Sequence, residues 1–160
     1  MAKPAVTVSF ICDEMLAALA RWLRAAGHDT LLASPGEKDD DVVARARRED
    51  RILLTRDRRL AERAAATARI VRLNADDLNG QACELRAALD LNWTVAPFTR
   101  CMIDNAQLVE LDPARFDDLP VSARRLPGPF RRCPACGRHY WPGSHAKRIS
   151  RRLESWTSCR

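Results

Sequence analysis

Two sets of side chains in this chain have the residue types and spacing to hold metal ions. In Cys133-Pro-Ala-Cys136-Gly137 two thiols share one tight loop that ends in glycine. Two such loops complete the tetrahedral site of a zinc ion, so this loop predicts a partner elsewhere in the chain. The second set is acidic. Asp13 follows the apolar run Ala5–Cys12, the triplet Asp39-Asp40-Asp41 opens a helical pattern, and Asp57 follows Ile52-Leu53-Leu54-Thr55. Each acid, taken alone, is explained as a helix cap or first-turn charge worth about 1 kcal/mol. Asp13 and Asp57, however, each stand directly after a core strand, where a sheet edge brings them close. Converging carboxylates repel, and they either raise a pKa or hold a hard cation. Magnesium or manganese suits oxygen ligands and keeps water that can attack phosphate. Thr55 is placed to hydrogen-bond a carboxylate or an ion-bound water. Arg21, Arg24 and Arg56 are placed to grip a phosphodiester, although each is equally explained as a solvated charge.

The elements that must position these residues alternate. The anchoring strand is Arg51–Asp57, whose apolar centre bounded by charge fits a strand buried on both faces of a parallel sheet. Ala5–Cys12 reads as an earlier strand. It leads into a helix over Met15–Ala26 with Leu16, Leu19, Ala20 and Leu23 on one face and Gly27 at the C-cap position. A short strand over His28–Ala33, a helix over Val42–Glu49, a helix over Arg58–Thr67, a strand over Arg69–Leu73 and a helix over Ala75–Leu89 capped by Asn74 complete the pattern. Four strand-helix repeats with short connections predict an α/β fold with a parallel sheet flanked by helices. In such sheets ligands bind beyond the carboxyl ends of the strands, where Asp13 and Asp57 fall.

Composition changes near residue 92. From Asn92 onward prolines recur at 97, 113, 120, 127, 129, 134 and 142 among short apolar pieces, which predicts a loop-rich module over 93–160 beside a first domain over 1–92. So small a module needs a staple, and a metal is the one its cysteines offer. Charge divides at a similar place: residues 1–120 carry 17 Lys/Arg against 20 Asp/Glu, and residues 121–160 carry 10 against 1. The basic end points to a polyanionic partner, most often nucleic acid. No signal peptide and no apolar stretch of membrane-spanning length is visible, so the expectation is a cytoplasmic protein without membrane association. In that reducing compartment the 6 cysteines read as thiols or metal ligands rather than disulfides. Cys12, Cys83 and Cys159 are expected to be buried or terminal thiols. A redox dithiol at Cys133 and Cys136 is the rival reading, which the Pro142-Gly143 that follows argues against.

Phe10-Ile-Cys-Asp-Glu-Met-Leu16, Leu19-Ala-Arg-Trp-Leu-Arg24, Gly27-His-Asp29 and Arg51-Ile-Leu-Leu-Thr-Arg-Asp57 together resemble the C-terminal ribonuclease family of Mut-seven exonuclease proteins. The resemblance runs over almost the whole chain. It implies a PIN-like nuclease fold joined to a C-terminal zinc ribbon, and metal-dependent endoribonuclease chemistry. Asp13, Thr55 and Asp57 match residues of the family's motifs, and Asp39 matches the acid opening the second helix, with Asp40 as the competing assignment. Where the family has a second Cys-x-x-Cys, this chain has Cys101-Met-Ile-Asp104. The spacing favours Asp104 as the fourth zinc ligand; His139, His145 or a weakened site are the alternatives. Tyr140-Trp141-Pro-Gly-Ser-His145 also matches, as cover for the metal-bound core or as a stacking surface for a base.

The resulting expectation is hydrolysis of RNA phosphodiester bonds, structured RNA such as tRNA being a plausible substrate. Magnesium or manganese would sit on Asp13, Asp39 and Asp57, and zinc on Cys101, Asp104, Cys133 and Cys136. Arg131, Arg132 and Lys147 would hold the substrate beside Arg21, Arg24 and Arg56, His145 either touching phosphate or capping a last helix over Ala146–Trp156. Two other readings stand beside it: a non-catalytic RNA-binding protein on a ribonucleoprotein, and a toxin-like nuclease restrained by an inhibitory partner. PIN-like proteins often pair, which leaves a homodimer open although no dimer signature is visible.

Overall fold

The computed structural model describes residues 8–159, so Ala5–Thr7 of the expected first strand lie outside the described residues. Strands β1 (Phe10–Cys12), β2 (Thr30–Leu32), β3 (Ile52–Thr55) and β4 (Ile70–Arg72) form a 4-stranded sheet in the order β2-β1-β3-β4, parallel throughout. The connections are α1 (Ala17–Ala25), α2 (Asp39–Arg48) and α3 (Arg58–Ala64), with α4 (Leu78–Leu89) after the last strand. Successive strand residues face opposite sides, and the two faces have separate cores. Phe10, Cys12, Ile52 and Leu54 pack with Leu19, Leu23, Ala82 and Leu85 of α1 and α4. Ile11 and Leu53 pack with Val42, Ala46, Leu60 and Ala64 of α2 and α3. A sheet covered on both faces demands apolar residues at every position, which is why the anchoring strand shows no alternation.

Several boundaries differ from expectation for local reasons. The first helix opens with a 3-10 turn over Glu14–Leu16 before α1. The fourth begins later than its apolar pattern implied: Asp77, not Asn74, is the cap, its carboxylate accepting from the N–H groups of Asn79 and Gly80. Asn74 is instead held by Glu84, which accepts its N–H at 2.8 Å. Ala26, not Gly27, is the C-cap of α1, and Gly27 follows it with φ of +99°, where a Cβ would meet the Ala96 carbonyl oxygen at 2.3 Å. Ala96 and Phe98 donate their N–H groups to Ala26 and Ala25, so the returning chain lies against the end of α1 and only glycine leaves it room.

The C-terminal third holds β5 (Val109–Glu110), β6 (Arg131–Arg132) and β7 (His139–Tyr140) in an antiparallel sheet, with short α5 (Val121–Arg124) and the long α6 (Ser144–Trp156). Leu111, Leu119 and Ala123 form its small core with Phe116, Phe130 and Trp141. Helix α6 does not stay with this module. Its buried Ile149, Leu153 and Trp156 join the core of the parallel sheet, and the Trp156 ring lies 5.1 Å from Trp22 and 4.9 Å from Trp93. That return brings Cys159 to Cys83 of α4, and the two form a disulfide with Cα atoms 5.5 Å apart. The expectation of two unpaired thiols is corrected: 76 residues separate them in sequence, and only the docking of α6 makes them neighbours. Among the described residues no helix is long and apolar enough to cross a membrane.

Candidate active site and metal centre

The chain reverses its direction of travel across the sheet between β1 and β3. It moves from β1 to β2 on one side, and α2 then carries it over β1 to β3 on the other. Loops leaving the carboxyl ends of β1 and β3 therefore part, and a crevice opens between them. Asp13 leaves β1 there, and Thr55, Arg56 and Asp57 leave β3. Thr55 is fully buried, and its hydroxyl donates to Asp13 Oδ2 at 2.8 Å while accepting the Asp57 N–H at 3.0 Å. One hydroxyl thus fixes both acidic positions. Asp57 Oδ1 caps α3 by accepting the N–H groups of Arg59 and Leu60 at 2.7 and 3.1 Å. Among the described residues, Asp13 Oδ1 and Asp57 Oδ2 accept no hydrogen bond from protein. Cap and ligand are thus compatible roles for one carboxylate.

Asp39 stands apart from this pair. It begins α2, and its carboxylate forms an ion pair with Arg63 of α3. Asp40 lines a shallow cleft with Arg47, Leu60 and Arg63 on the same side. Among the described residues, no third acid joins Asp13 and Asp57 in a group that could share one ion. Glu14, which the motifs did not single out, accepts the Gly36 N–H at 3.0 Å and so ties the loop after β2 to the crevice. Its position directly after Asp13 was the available signal.

The arginines divide by role. Arg21 is exposed on α1, whereas Arg24 is 6% exposed and donates to three carbonyls, those of Thr30, Met102 and Ile103. A guanidinium so placed is not available to phosphate, and the expectation for Arg24 as a substrate contact is withdrawn. Arg56 pairs with Asp76 across the loops after β3 and β4. Arg131 donates to the Phe98 carbonyl, and Arg132 is half-buried in β6. Lys147, Arg148 and Arg151 are exposed on α6. His145 is exposed in the first turn of α6, 3.5 Å from Arg148, while Gly143 takes the cap position.

The second constellation is a built site. Cys101, Asp104, Cys133 and Cys136 have ligand atoms all within 4.8 Å of one another. They lie on two loops of the same design. Asn105 and Gly137, each four residues after its first cysteine, have φ of +71° and +73°. Asn105 donates its N–H to the Cys101 carbonyl at 3.0 Å and Gly137 does the same to Cys133 at 3.0 Å. The sulfurs of Cys101 and Cys136 are 3.8 Å apart, and Cys133 sulfur is 3.3 Å from both Asp104 oxygens. Tetrahedral zinc, with sulfur at about 2.3 Å and oxygen at about 2.0 Å, sets two sulfurs about 3.8 Å apart and a sulfur–oxygen pair about 3.5 Å apart. The donor set fits a metal such as zinc, with Asp104 as the fourth ligand. His139 and His145 lie outside the group, His139 with a buried Nε2 that has no hydrogen-bond partner.

Electrostatics agree with that reading. Burial opposes ionisation of Asp104, but the Ala106 N–H and the neighbouring thiols outweigh it and bring its pKa down to about 2. Burial and the adjacent carboxylate push Cys133 up to about 11, so without an ion this thiol keeps its proton and shares it with Asp104. For Cys101, burial is outweighed by the Tyr140 hydroxyl, which donates at 3.1 Å, and by neighbouring N–H groups, and its pKa is lowered. The cluster lies against Thr30, at the start of β2, whereas Asp13 and Asp57 lie beyond strand ends; the two constellations occupy opposite edges of the sheet.

A family model described as Mut7-C RNAse domain matches residues 8–153 of the 160-residue chain. No curated protein and no solved structure matches it.

Proposed function

The chain belongs to the Mut7-C RNAse domain family, and from that premise we propose that it is an endoribonuclease that hydrolyses RNA phosphodiester bonds with magnesium or manganese at the crevice between β1 and β3. The observation that carries this reading is the Thr55 hydroxyl shared by Asp13 and Asp57. It holds two acidic positions at the mouth of the crevice and leaves an oxygen of each carboxylate outside the protein's own hydrogen bonds. Hard oxygen donors of this kind fit a hard divalent cation. Such an ion, when bound, lowers the pKa of an attacking water and offsets charge developing on the phosphate.

The protein's own contributions follow from the geometry. Thr55 orients Asp13, and the α3 cap orients Asp57, so neither carboxylate must be ordered when the ion arrives. Asp39 is proposed as the third acid; it joins by exchanging Arg63 for the ion. Arg21 and Arg56 are proposed phosphate contacts near the crevice, and Arg131, Arg132 and Lys147 more distant ones. The nuclease unit is proposed to span 1–92 and the zinc-ribbon module 93–160, with α6 returning to the nuclease core.

The test is cleavage of end-labelled tRNA and of a single-stranded RNA by the parent protein and by Asp57→Asn, with manganese, magnesium or chelator. Asparagine retains the cap through Oδ1 and removes the charge. The reading expects cutting by the parent only, with RNA binding retained in the variant. One observation favours a second reading: Asp39 is engaged by Arg63 rather than turned to Asp13 and Asp57. A non-catalytic RNA-binding role would show as salt-sensitive binding with no cutting under any of these metals.

A further inference from the structure

The ligand loop Cys101–Asn105 has bonds on both of its sides. Inward, Cys101 and Asp104 face the thiols of the other loop at 3.8 and 3.3 Å. Outward, the Asn105 amide accepts the Thr30 N–H at 2.9 Å and donates to Asp29 at 2.7 Å. Arg24 of α1 donates through Nη1 to the carbonyls of Met102 and Ile103, the two residues between the ligands, at 3.2 and 2.6 Å. Its Nε donates to the Thr30 carbonyl at 2.8 Å.

Both backbone groups of Thr30 are therefore satisfied by side chains that also hold the metal loop. Thr30 opens β2, one of the two outer strands of the parallel sheet. An outer strand with free backbone groups is a liability that folds remove by covering it, and here the cover is the ligand loop. Asp29 extends the connection across the sheet, because Arg51 at the start of β3 grips its two oxygens at 2.9 and 3.2 Å. Charge works in the same direction. Three thiolates and a carboxylate leave a divalent ion with net negative charge, and two cations are set against this loop, the buried Arg24 guanidinium and Arg100, which donates to the Asn105 carbonyl at 3.0 Å.

We propose that metal loading of the cluster and seating of its first loop on the outer edge of the parallel sheet are one coupled equilibrium, with Asn105 and Arg24 as the positioning residues. It rests on the reading that the cluster holds a metal. An ion fixes Cys101 and Asp104, which fixes the backbone of Met102, Ile103 and Asn105, and these are the atoms that β2 and α1 bind. Linkage makes the effect reciprocal: whatever loosens the loop from Thr30 weakens the metal, and whatever removes the metal loosens β2.

Asn105→Gly separates the coupling from the fold of the loop, since Gly137 occupies the equivalent left-handed position of the second loop at nearly the same φ. Cobalt(II) is the probe, titrated without oxygen into the full stripped chain, its Cys83–Cys159 disulfide intact, against a competing chelator, with its thiolate charge-transfer band as the signature. The band should be unchanged in Asn105→Gly, and the affinity weaker by roughly ten- to a hundredfold, as for other partners that orient metal ligands. Arg24→Lys, which keeps the charge and loses the carbonyl fork, should weaken affinity in the same direction with the same band. In hydrogen exchange, Thr30–Leu32 and the last turn of α1 should lose protection when the parent is stripped, and in loaded Asn105→Gly as well. Equal affinity in parent and both variants, with exchange at Thr30–Leu32 indifferent to the metal, would overturn the coupling and leave the cluster intact. Absence of any cobalt uptake by the parent would overturn the metal centre itself, and the coupling with it.

Discussion

Thr55 is the residue on which the crevice depends, because it satisfies Asp13 and the Asp57 backbone with one buried hydroxyl. Thr55→Val keeps the shape and leaves both partners without their bond, so it should cost about 1–3 kcal/mol in denaturant unfolding. Cleavage should fall further than in Thr55→Ser, which restores the hydroxyl. His28 gives a second residue-scale prediction. Its Nδ1 accepts the Val8 N–H at 3.1 Å, and Nε2 lies 3.0 Å from the Asn92 carbonyl, to which it donates in the neutral tautomer. Burial lowers its pKa, against the bond to the Asn92 carbonyl. The unfolded chain then binds the proton more readily, so stability from His28 is complete above about pH 6.5 and declines as pH falls below that value. The melting temperature of the parent should drop more between pH 7.5 and 5.5 than that of His28→Gln; equal drops would contradict the assignment. At this scale the sequence revealed residue types but not occupancy. Asp13, Thr55 and Asp57 were readable as a set because strand ends locate them. Nothing in the spacing of Asp39 announced Arg63, and nothing in Arg24 announced three carbonyls, because both depend on what a neighbouring element presents.

Elements with strong periodicity were legible, and their ends and destinations were not. The doubly buried strand β3 and the apolar face of α1 follow from pattern alone. The start of α4 depended on whether Asn74 or Asp77 turned its side chain to the free N–H groups, a choice that propensity does not separate. Asp77→Ala should accordingly cost about 1 kcal/mol in unfolding, and Asn74→Ala less if Glu84 retains its grip on the backbone. Gly27 was readable as a helix end, but its second duty, admitting Ala96 against α1, is a tertiary fact. Gly27→Ala should destabilise by about 1–3 kcal/mol from backbone strain alone, more once the Ala96 overlap is included, and more than an ordinary C-cap replacement. A last helix was readable over Ala146–Trp156, but not that its buried Trp156 belongs against Trp22 and Trp93.

The whole molecule is a chain that leaves its parallel sheet, builds a module around the Cys101–Asp104–Cys133–Cys136 cluster against one outer strand, and returns through α6 to the core it left. The Cys83–Cys159 disulfide closes that excursion. Two unfolding curves, with and without reductant, should differ by about 4.5 kcal/mol at the chain-entropy limit for a closed loop of this size, and Cys83→Ser should remove the difference. The basic end was visible in composition, and α6 gives it a surface by exposing Lys147, Arg148 and Arg151 opposite its apolar face. Replacing those cations with glutamine should reduce the slope of log affinity against log salt by about 0.7–0.9 for each phosphate that the variant no longer neutralises. Cutting of bound RNA should be affected less than binding. The most direct measurement of the central claim is the chemistry of the ends produced by a single turnover on a short labelled RNA, with manganese restored after stripping and zinc resupplied. Water attack at the Asp13–Asp57 crevice predicts simple phosphate and hydroxyl termini, and their loss in Asp57→Asn. Termini bearing a 2′,3′-cyclic phosphate, formed at equal rates by parent and variant, would contradict it.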